Sequence, residues 1–416
     1  MDESGNSARA GRVAFTYPDF SLYQLARFII VAGLEAQSVA VGWQIYEITK
    51  RPLDLGLVGL AQFAPGILLF LVSGHAADSF DRRKLLIVCY SGFGVCSALL
   101  LLTAWAGLHS VYPIYMVVVL LGVVRSLNNP VSRAMLAQLV PEEHLANAIA
   151  WNSSFWQGAT ILGPSLGGLI YAISKGPAAV YALSLIAAVV AVFALVRIKL
   201  RVKARPKEPV SMTTILAGLR YVVEKKLILG SISLDLFAVL LGGAVALLPV
   251  FAREILMTGP WGLGLLRASP AIGAGCMALL LAHRPLRSRA GATMLWCVAG
   301  FGVFTILFGI SRSLILSMVA LVLVGAMDMV SVVVRATLVQ IATPDEMRGR
   351  VNAVDMIFIG ASNEVGQFES GLTAQWFGAV PAVVLGGIGT LIVTGLWAWS
   401  FPELRRFEKL TSMQNR

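Results

Sequence analysis

The most constraining feature of this sequence is a series of long apolar runs joined by short connections that carry most of the charge. An α-helix needs about 20 consecutive apolar residues to cross the hydrocarbon core of a bilayer. Backbone groups inside a bilayer must form their hydrogen bonds within the membrane-spanning structure, which leaves helices or a closed β-barrel. The sequence does not show the alternating polar and apolar residues of barrel strands. We therefore predict an all-α integral membrane protein with twelve transmembrane helices. The runs fall at about residues 21–48, 55–76, 85–106, 111–138, 145–174, 178–197, 227–250, 261–282, 291–309, 314–340, 351–376 and 380–400.

The composition agrees with a membrane protein. The chain is 57% hydrophobic and 13% charged, whereas a soluble domain carries about 25% charged residues. The net charge of +11 could suggest a nucleic-acid partner, but the basic residues fall in short loops, where membrane topology accounts for them. They concentrate in the even-numbered connections, so we expect these connections and both termini in the cytoplasm. The four cysteines lie in apolar runs without metal-ligand spacing, which predicts no metal site and no cofactor.

The chain consists of two similar halves. The segment Arg133–Pro141 resembles Arg335–Pro344, and two acidic residues follow each proline. The longest connection, 198–226, is basic and ends in a stretch whose apolar residues have helical spacing. Two halves of six spans in the same orientation are typical of transporters, so we predict two pseudo-symmetric six-helix bundles. The predicted organisation is a cytoplasmic segment at 1–20, the first bundle at 21–197, a cytoplasmic linker with an amphipathic helix at 198–226, the second bundle at 227–401 and a cytoplasmic tail at 402–416.

Ionisable residues recur on every third predicted span. Each costs about 2.5–3.5 kcal/mol at the centre of an inserted helix, so each needs a reason. If every half is built from three-helix units, the first helices of these units share a polar pathway with protonatable acids; the alternative is a set of structural ion pairs, such as Arg125 with an opposing acid. The transport or proton-coupling candidates on these spans are Glu35, Arg125, Asp235, Asp328 and Arg335. The eleventh span is an exception to this spacing and adds the acids Asp355, Glu364 and Glu369. The polar cavity candidates are Tyr46, Asn128 and Asn129.

Two short motifs resemble known transporter motifs. The loop GHAADSFDRRK, which contains Gly74, Asp78, Arg82 and Arg83, resembles the gating loop of the major facilitator superfamily. Ser79 and Asp81 stand where that loop usually has a basic residue and a glycine.

In the fifth span, Gly163, Pro164, Gly167 and Gly168 resemble the motif of exporting members of the superfamily. Arg125, in the fourth span, falls where the antiporters of the superfamily carry an arginine linked to proton coupling. The simpler alternatives are a charged turn and a tight helix-packing patch.

Longer segments point to one branch of this superfamily. The stretches SVAVGWQIYEIT, LVPEEHLANAIAWNSS, SNEVGQFESG and FPELRR are similar to those of enterobactin-exporter-like bacterial efflux proteins. The resemblance covers about residues 19–411. It implies twelve helices, alternating access and proton-driven export of a small molecule, such as a siderophore, across the bacterial inner membrane.

The predicted function is therefore a proton-coupled secondary exporter, or antiporter. A multidrug or macrolide efflux pump and a lipid translocator are alternatives within transport. An integral-membrane enzyme is the alternative of another class, but the sequence has no metal-ligand cluster, no nucleophile with a nearby base and no phosphate-binding loop, so we predict that the chain is not an enzyme. The expected partners are a small-molecule substrate, protons and the lipid bilayer, and we expect a monomer.

Overall fold

The computed structural model describes residues 13–69, 73, 76, 80–107, 110–199, 212–284 and 289–407. Over these residues the chain is all-helical, which confirms the predicted class. Over the described residues, each predicted apolar run contains one helix, except that the seventh run breaks at Gly243. In chain order the elements are a 3-10 turn, Val13–Thr16; α1, Pro18–Thr49; α2, Pro52–Leu68; α3, Arg82–Trp105; α4, Tyr112–Leu139; α5, Glu142–Ser174; α6, Ala178–Arg197; α7, Met212–Glu224; α8, Lys226–Gly242; α9, Gly259–His283; α10, Ala290–Ile310; α11, Leu314–Ala342; α12, Asp345–Phe377; α13, Ala379–Ser400; and α14, Pro402–Arg405.

In the described part of the chain, nine helical segments are long and apolar enough to cross a membrane. They are α1, α3, α4, α6, the stretch Lys226–Ile255, and α9, α10, α11 and α13. The second predicted span is the shorter apolar helix α2, whose 17 residues end at Leu68. The fifth and eleventh are α5 and α12, which carry more polar side chains. The count of twelve membrane crossings stays a prediction.

The break in the seventh run lies at two consecutive glycines, Gly242 and Gly243. After α8 ends at Gly242, the chain makes a 3-10 turn over Ala244–Leu247 and later a π-turn over Phe251–Ile255. A break leaves backbone groups without helical partners, and buried ones must bond elsewhere. The Ser370 hydroxyl on α12 donates to the Gly243 carbonyl at 3.0 Å. Hydropathy alone predicts one continuous helix here because the break does not interrupt the apolar run.

The chain divides into two compact units, Met1–Gln44 with Ala64–Val210, and Ile45–Phe63 with Ser211–Arg416. In the first unit, α5 packs closely on α1. A Cβ added at Gly163 would lie 2.6 Å from the Ala32 carbonyl oxygen, and one at Gly167 would lie 2.6 Å from that of Ala36. Only glycine allows this approach. The packing interpretation of the span-five motif is thus confirmed.

The second unit contains its own apolar core and the helix α7. The core draws on α8, α10 and α11, with Ile232, Met294 and Val334 among its buried side chains. Helix α7 lies within the predicted linker and buries Val222, while Leu216 is exposed. The boundaries and the cytoplasmic position of that linker stay predictions.

Candidate transport and proton-coupling sites

A buried charge cluster lies among α8, α11 and α12 in the second unit. Arg335 on α11 has only 3% of its side chain exposed. Its Nη2 lies 3.4 Å from Oδ2 of Asp235 on α8, and its Nη1 donates to Oδ1 of Asp355 on α12. Three predicted site residues that are far apart in sequence therefore meet at one point.

Asp328 adds a third carboxylate to this cluster. A small cavity beside the ion pairs is lined by Asp235, Asp328 and Ser331, together with apolar side chains. The Ser331 hydroxyl lies 3.5 Å from Asp235 Oδ1, and Asp328 lies within electrostatic range of Asp235 and Arg335. Among the residues that the structure describes, Asp328 has no hydrogen-bond partner and no ion-pair partner. Three carboxylates face one guanidinium, so the fully ionised cluster has excess negative charge that a proton or another cation can balance.

The other predicted acids of the eleventh span are bonded along α12. Glu364 accepts a hydrogen bond from Gln367 Nε2 at 3.0 Å, and a Cβ at Gly59 of α2 would lie 3.2 Å from its carboxylate. Glu369 accepts from the Thr373 hydroxyl at 2.8 Å. These two acids lie outside the Arg335 cluster.

Tyr46 is buried in the second unit rather than open to a cavity. Its hydroxyl donates to Glu254 in the π-turn at 2.5 Å, and one helical position further on, Glu47 lies 3.4 Å from Nη1 of Arg253. Both bonds join the end of α1 to the π-turn. Glu254 was not among the sequence candidates because a lone acid near a predicted span end carries no signal of its own.

The predicted residues of the first unit lie on α1 and α4. Glu35 is partly buried beside Gly163, whose added Cβ would lie 2.7 Å from Glu35 Cβ. Arg125 and Asn128 are partly buried on α4, and Asn129 is exposed. The Asn128 Oδ1 atom is buried without a hydrogen bond in the described residues.

The sequence candidates missed Arg27 on α1. Its Nη1 donates to Asn152 Oδ1 on α5 at 2.7 Å and lies 3.4 Å from the Tyr23 hydroxyl. Its guanidinium carbon is 5.4 Å from the centroid of the Trp156 ring. The sequence feature that could have identified Arg27 is the presence of an arginine well inside the first helix.

Part of the predicted gating loop falls outside the described residues, namely Gly74 and Asp78. The part at the start of α3 has a clear structural role. The Asp81 side chain accepts from the Lys84 amide at 3.1 Å and caps α3. Arg83 Nε donates to the Leu195 carbonyl at 3.0 Å and its Nη2 to that of Val196, in the last turn of α6, and Arg82 lies 3.4 Å from the Ala134 carbonyl. The aspartate that departs from the family's glycine is thus a helix cap, a type of residue preferred there.

Long apolar helices with charges buried among them are typical of a multi-pass membrane protein. The chain belongs to the transmembrane secretion effector family of the major facilitator superfamily, whose sequence profile matches residues 14–415. This confirms the predicted resemblance to enterobactin-exporter-like proteins.

Relatives and solved structures agree with this assignment. The enterobactin exporter EntS of Shigella boydii serotype 4 (strain Sb227) is 28% identical over 398 residues, which are 95% of this chain and 94% of that protein. The fold is similar to that of nucleoside transporter NupG, with a TM-score of 0.74, 10% identity and coverage of 92% of this chain and 100% of the other. It is also similar to a bacterial homologue of the iron transporter ferroportin in an inward-facing state, with a TM-score of 0.72, 14% identity and coverage of 94% and 99%. These two structures support the fold alone.

Proposed function

We propose that this protein is a proton-coupled secondary exporter that exchanges a small organic molecule for protons by alternating access. Its relatives are enterobactin exporters, which makes a siderophore the first substrate to test. We also propose that the protein spans a bacterial cytoplasmic membrane with twelve helices. These helices form two six-helix bundles, residues 21–197 and 227–401. Both termini and the 198–226 connection are cytoplasmic in this scheme, because short loops rich in Lys and Arg stay inside.

The Arg335 cluster is the observation that carries proton coupling. Arg335 is held between Asp235 and Asp355, while Asp328 lines the adjacent cavity and has no hydrogen-bond donor among the described residues. Removing charges from water costs several kcal/mol per ion even when they are paired. A proton on Asp328 removes one of the two excess negative charges, so we assign Asp328 as the proton-accepting group.

Protonation there can couple to movement because it changes the partners of Arg335. A bound ligand shifts a conformational equilibrium only by its difference in affinity between the two states. With Asp328 ionised, three acids compete for Arg335; with Asp328 protonated, only Asp235 and Asp355 remain. We propose that the two arrangements favour different states of the transport cycle. Protons then enter as the substrate leaves.

The test uses inverted membrane vesicles, in which export appears as uptake of labelled enterobactin into an acidified interior. We expect Asp328→Asn to lose uptake driven by the pH gradient but to keep gradient-independent exchange of labelled for unlabelled substrate. Glu224→Gln, a change at an exposed carboxylate paired with Arg220, is the control. Full gradient-driven uptake by Asp328→Asn at normal abundance would rule out this assignment. Uptake of a macrolide but not enterobactin would instead identify a drug pump.

The first unit supplies two further coupling candidates, Glu35 and Arg125. By the resemblance to antiporters, we expect Arg125→Ala to lose gradient-driven export while the protein remains abundant. The gating loop and the Gly163–Gly168 motif complete the proposal as elements that move during the cycle. Full export by Arg125→Ala would limit proton coupling to the second unit.

A further inference from the structure

Helix α7 packs on the second unit through one narrow face. A Cβ added at Gly218 would lie 2.7 Å from the Arg350 carbonyl oxygen of α12, so only glycine allows this approach. Val222, one turn further along α7, is fully buried in the apolar core. The Tyr221 hydroxyl donates to the Ala342 carbonyl oxygen, at the end of α11, at 3.4 Å. These contacts fix α7 against the ends of α11 and α12.

A second apolar stripe runs along the opposite side of α7. Leu216 and Val223 are each 56% exposed, and Leu219 between them is 36% exposed. Their helical spacing places these three side chains on one face of the helix, away from Gly218 and Val222. A surface helix in water normally has polar residues opposite its buried face. The stripe therefore needs an apolar covering that the packing of α7 on the second unit does not supply.

The position of α7 in the chain places this stripe beside the membrane. One extended residue, Lys225, separates α7 from α8, and the apolar stretch Lys226–Ile255 is long enough to cross a bilayer. Near the start of α8, a Cβ added at Gly230 would lie 2.9 Å from the Phe401 ring, which follows α13. Trp399, in the last turn of α13, is 80% exposed. Exposed tryptophans at the ends of spans mark the level of the membrane surface, so α7 ends close to this level.

The exposed charges at this end of α7 are mostly basic. Lys225 and Lys226 are both exposed. Arg220 is also exposed, but it forms an ion pair with Glu224 at 2.9 Å, which leaves the two lysines as the net positive charge. The Lys225 ammonium lies 5.8 Å from the centroid of the Tyr221 ring. An apolar stripe beside basic side chains is the pattern of helices that lie in the interface of a membrane with anionic lipids.

We propose that α7 binds an anionic phospholipid surface, with Leu216, Leu219 and Val223 at the acyl-chain boundary and Lys225 and Lys226 on the headgroup phosphates. The proposal is independent of the export function, because it requires only that α8 spans a membrane. The apolar side chains favour any bilayer, whereas the lysines favour an anionic one. Bound lipid would then hold the ends of α8, α11 and α12, the three helices that carry the buried charge cluster.

The test uses the full-length protein in nanodiscs of phosphatidylcholine with increasing fractions of phosphatidylglycerol. The four natural cysteines are replaced by alanine, and Val223→Cys carries an environment-sensitive fluorophore. With phosphatidylglycerol present, we expect lipids with brominated acyl chains to quench this fluorophore and iodide in solution not to reach it. Glu346→Cys, at an exposed position in the first turn of α12, is the matched control, and iodide should quench its fluorophore in every nanodisc.

Charge variants test the preference for an anionic lipid. Lys225→Gln with Lys226→Gln should weaken the binding of α7 by about 5-fold for each charge removed, measured from the phosphatidylglycerol fraction that gives half-maximal shielding from iodide. Arg405→Gln with Arg406→Gln, a change at another exposed basic pair of the second unit, is the control with equal charge loss and should leave the shielding unchanged.

The apolar stripe is tested by Leu216→Gln with Leu219→Gln, which should let iodide quench the Val223→Cys fluorophore at every lipid composition. Iodide quenching without these changes, with phosphatidylglycerol present, would overturn the surface. So would shielding that does not depend on phosphatidylglycerol, or a lysine variant that behaves like the arginine control.

Two further outcomes are separated by the same measurements. Shielding from both iodide and bromine, with a second protein copy or another protein in the nanodisc by native mass spectrometry, would refute lipid binding and identify a protein on the stripe. If the cysteine-free protein does not fold, as judged by gel filtration, hydrogen exchange of the α7 amides in the natural protein carries the test. It should be slower with phosphatidylglycerol than without, and equal exchange would refute the surface.

Discussion

The charge cluster around Arg335 leads to a quantitative prediction about stability. Replacement of Arg335 by glutamine leaves Asp235 and Asp355 buried without a cation. At 3.4 Å and an effective dielectric constant of about 20, the Asp235 pair has a Coulomb energy of about 5 kcal/mol before desolvation is subtracted. Removing one partner of a buried pair typically costs about 3–5 kcal/mol, because the remaining charge is uncompensated. We expect Arg335→Gln to lower the free energy of unfolding of the second unit by this amount.

The matched control removes the three ion-paired charges together. The triple variant with Asp235→Asn, Arg335→Gln and Asp355→Asn leaves Asp328 as the one acid of the cluster, which a proton can neutralise, so it should recover most of the lost stability. It should nevertheless lose export driven by a pH gradient, because protonation of Asp328 no longer changes the partners of Arg335. Comparison of the single and triple variants separates the cost of an unpaired charge from the worth of the whole network.

The assay is reversible unfolding in mixed detergent micelles with increasing sodium dodecyl sulfate, followed by helical circular dichroism. Because the chain has two units, the unfolding transition is fitted to a two-state model only if the curves from independent probes coincide. A free energy of unfolding for Arg335→Gln equal to that of the natural protein would refute the energetic account of the cluster. So would a triple variant as unstable as the single one.

Three further changes test particular contacts. Gly167→Leu should lower stability by about 1–3 kcal/mol through overpacking against α1, whereas Gly349→Leu, where a Cβ meets nothing within 4 Å, should not; thermal gel filtration compares them, and equal melting would contradict the close contact. Asp81→Ala should cost about 0.5–2 kcal/mol by loss of the α3 cap, and Asp81→Ser should restore most of it in the same assay. Tyr46→Phe should cost about 1.5–3 kcal/mol through loss of the bond to the Glu254 carboxylate; an unchanged unfolding curve would mean that this bond contributes nothing.

Local patterns in the sequence predicted the helices and one face of α11. Apolar runs of membrane-spanning length predict helices because a bilayer leaves few other ways to satisfy the backbone. Helical spacing also placed Asp328, Ser331 and Arg335 on one stripe of α11, and the structure has them beside the same cavity or ion pairs. Both inferences depend only on residues close in sequence.

Long-range pairing could not be predicted in the same way. Nothing near Arg335 in sequence specifies that Asp235 and Asp355 are its partners, since the choice depends on how three helices pack. The helix cap at Asp81 was not predicted, because comparison with the family motif describes Asp81 only as a departure from the usual glycine. Arg27 was missed because hydropathy tolerates one arginine in a run that is otherwise apolar.

The corresponding arginines of the repeated segment lie in different surroundings in the two units. Arg335 is buried between aspartates of its own unit, and the additional carboxylate of Asp328 gives this cluster an excess of acid that favours a proton. Arg133, at the equivalent position of the repeated segment, is exposed. A buried charge needs a partner, so the aspartates on α8 and α12, rather than the repeated segment itself, determine that the second unit holds the buried ion pairs. In the coupling proposed above, a substitution at Asp328 therefore acts on the driving force without altering the repeated segment.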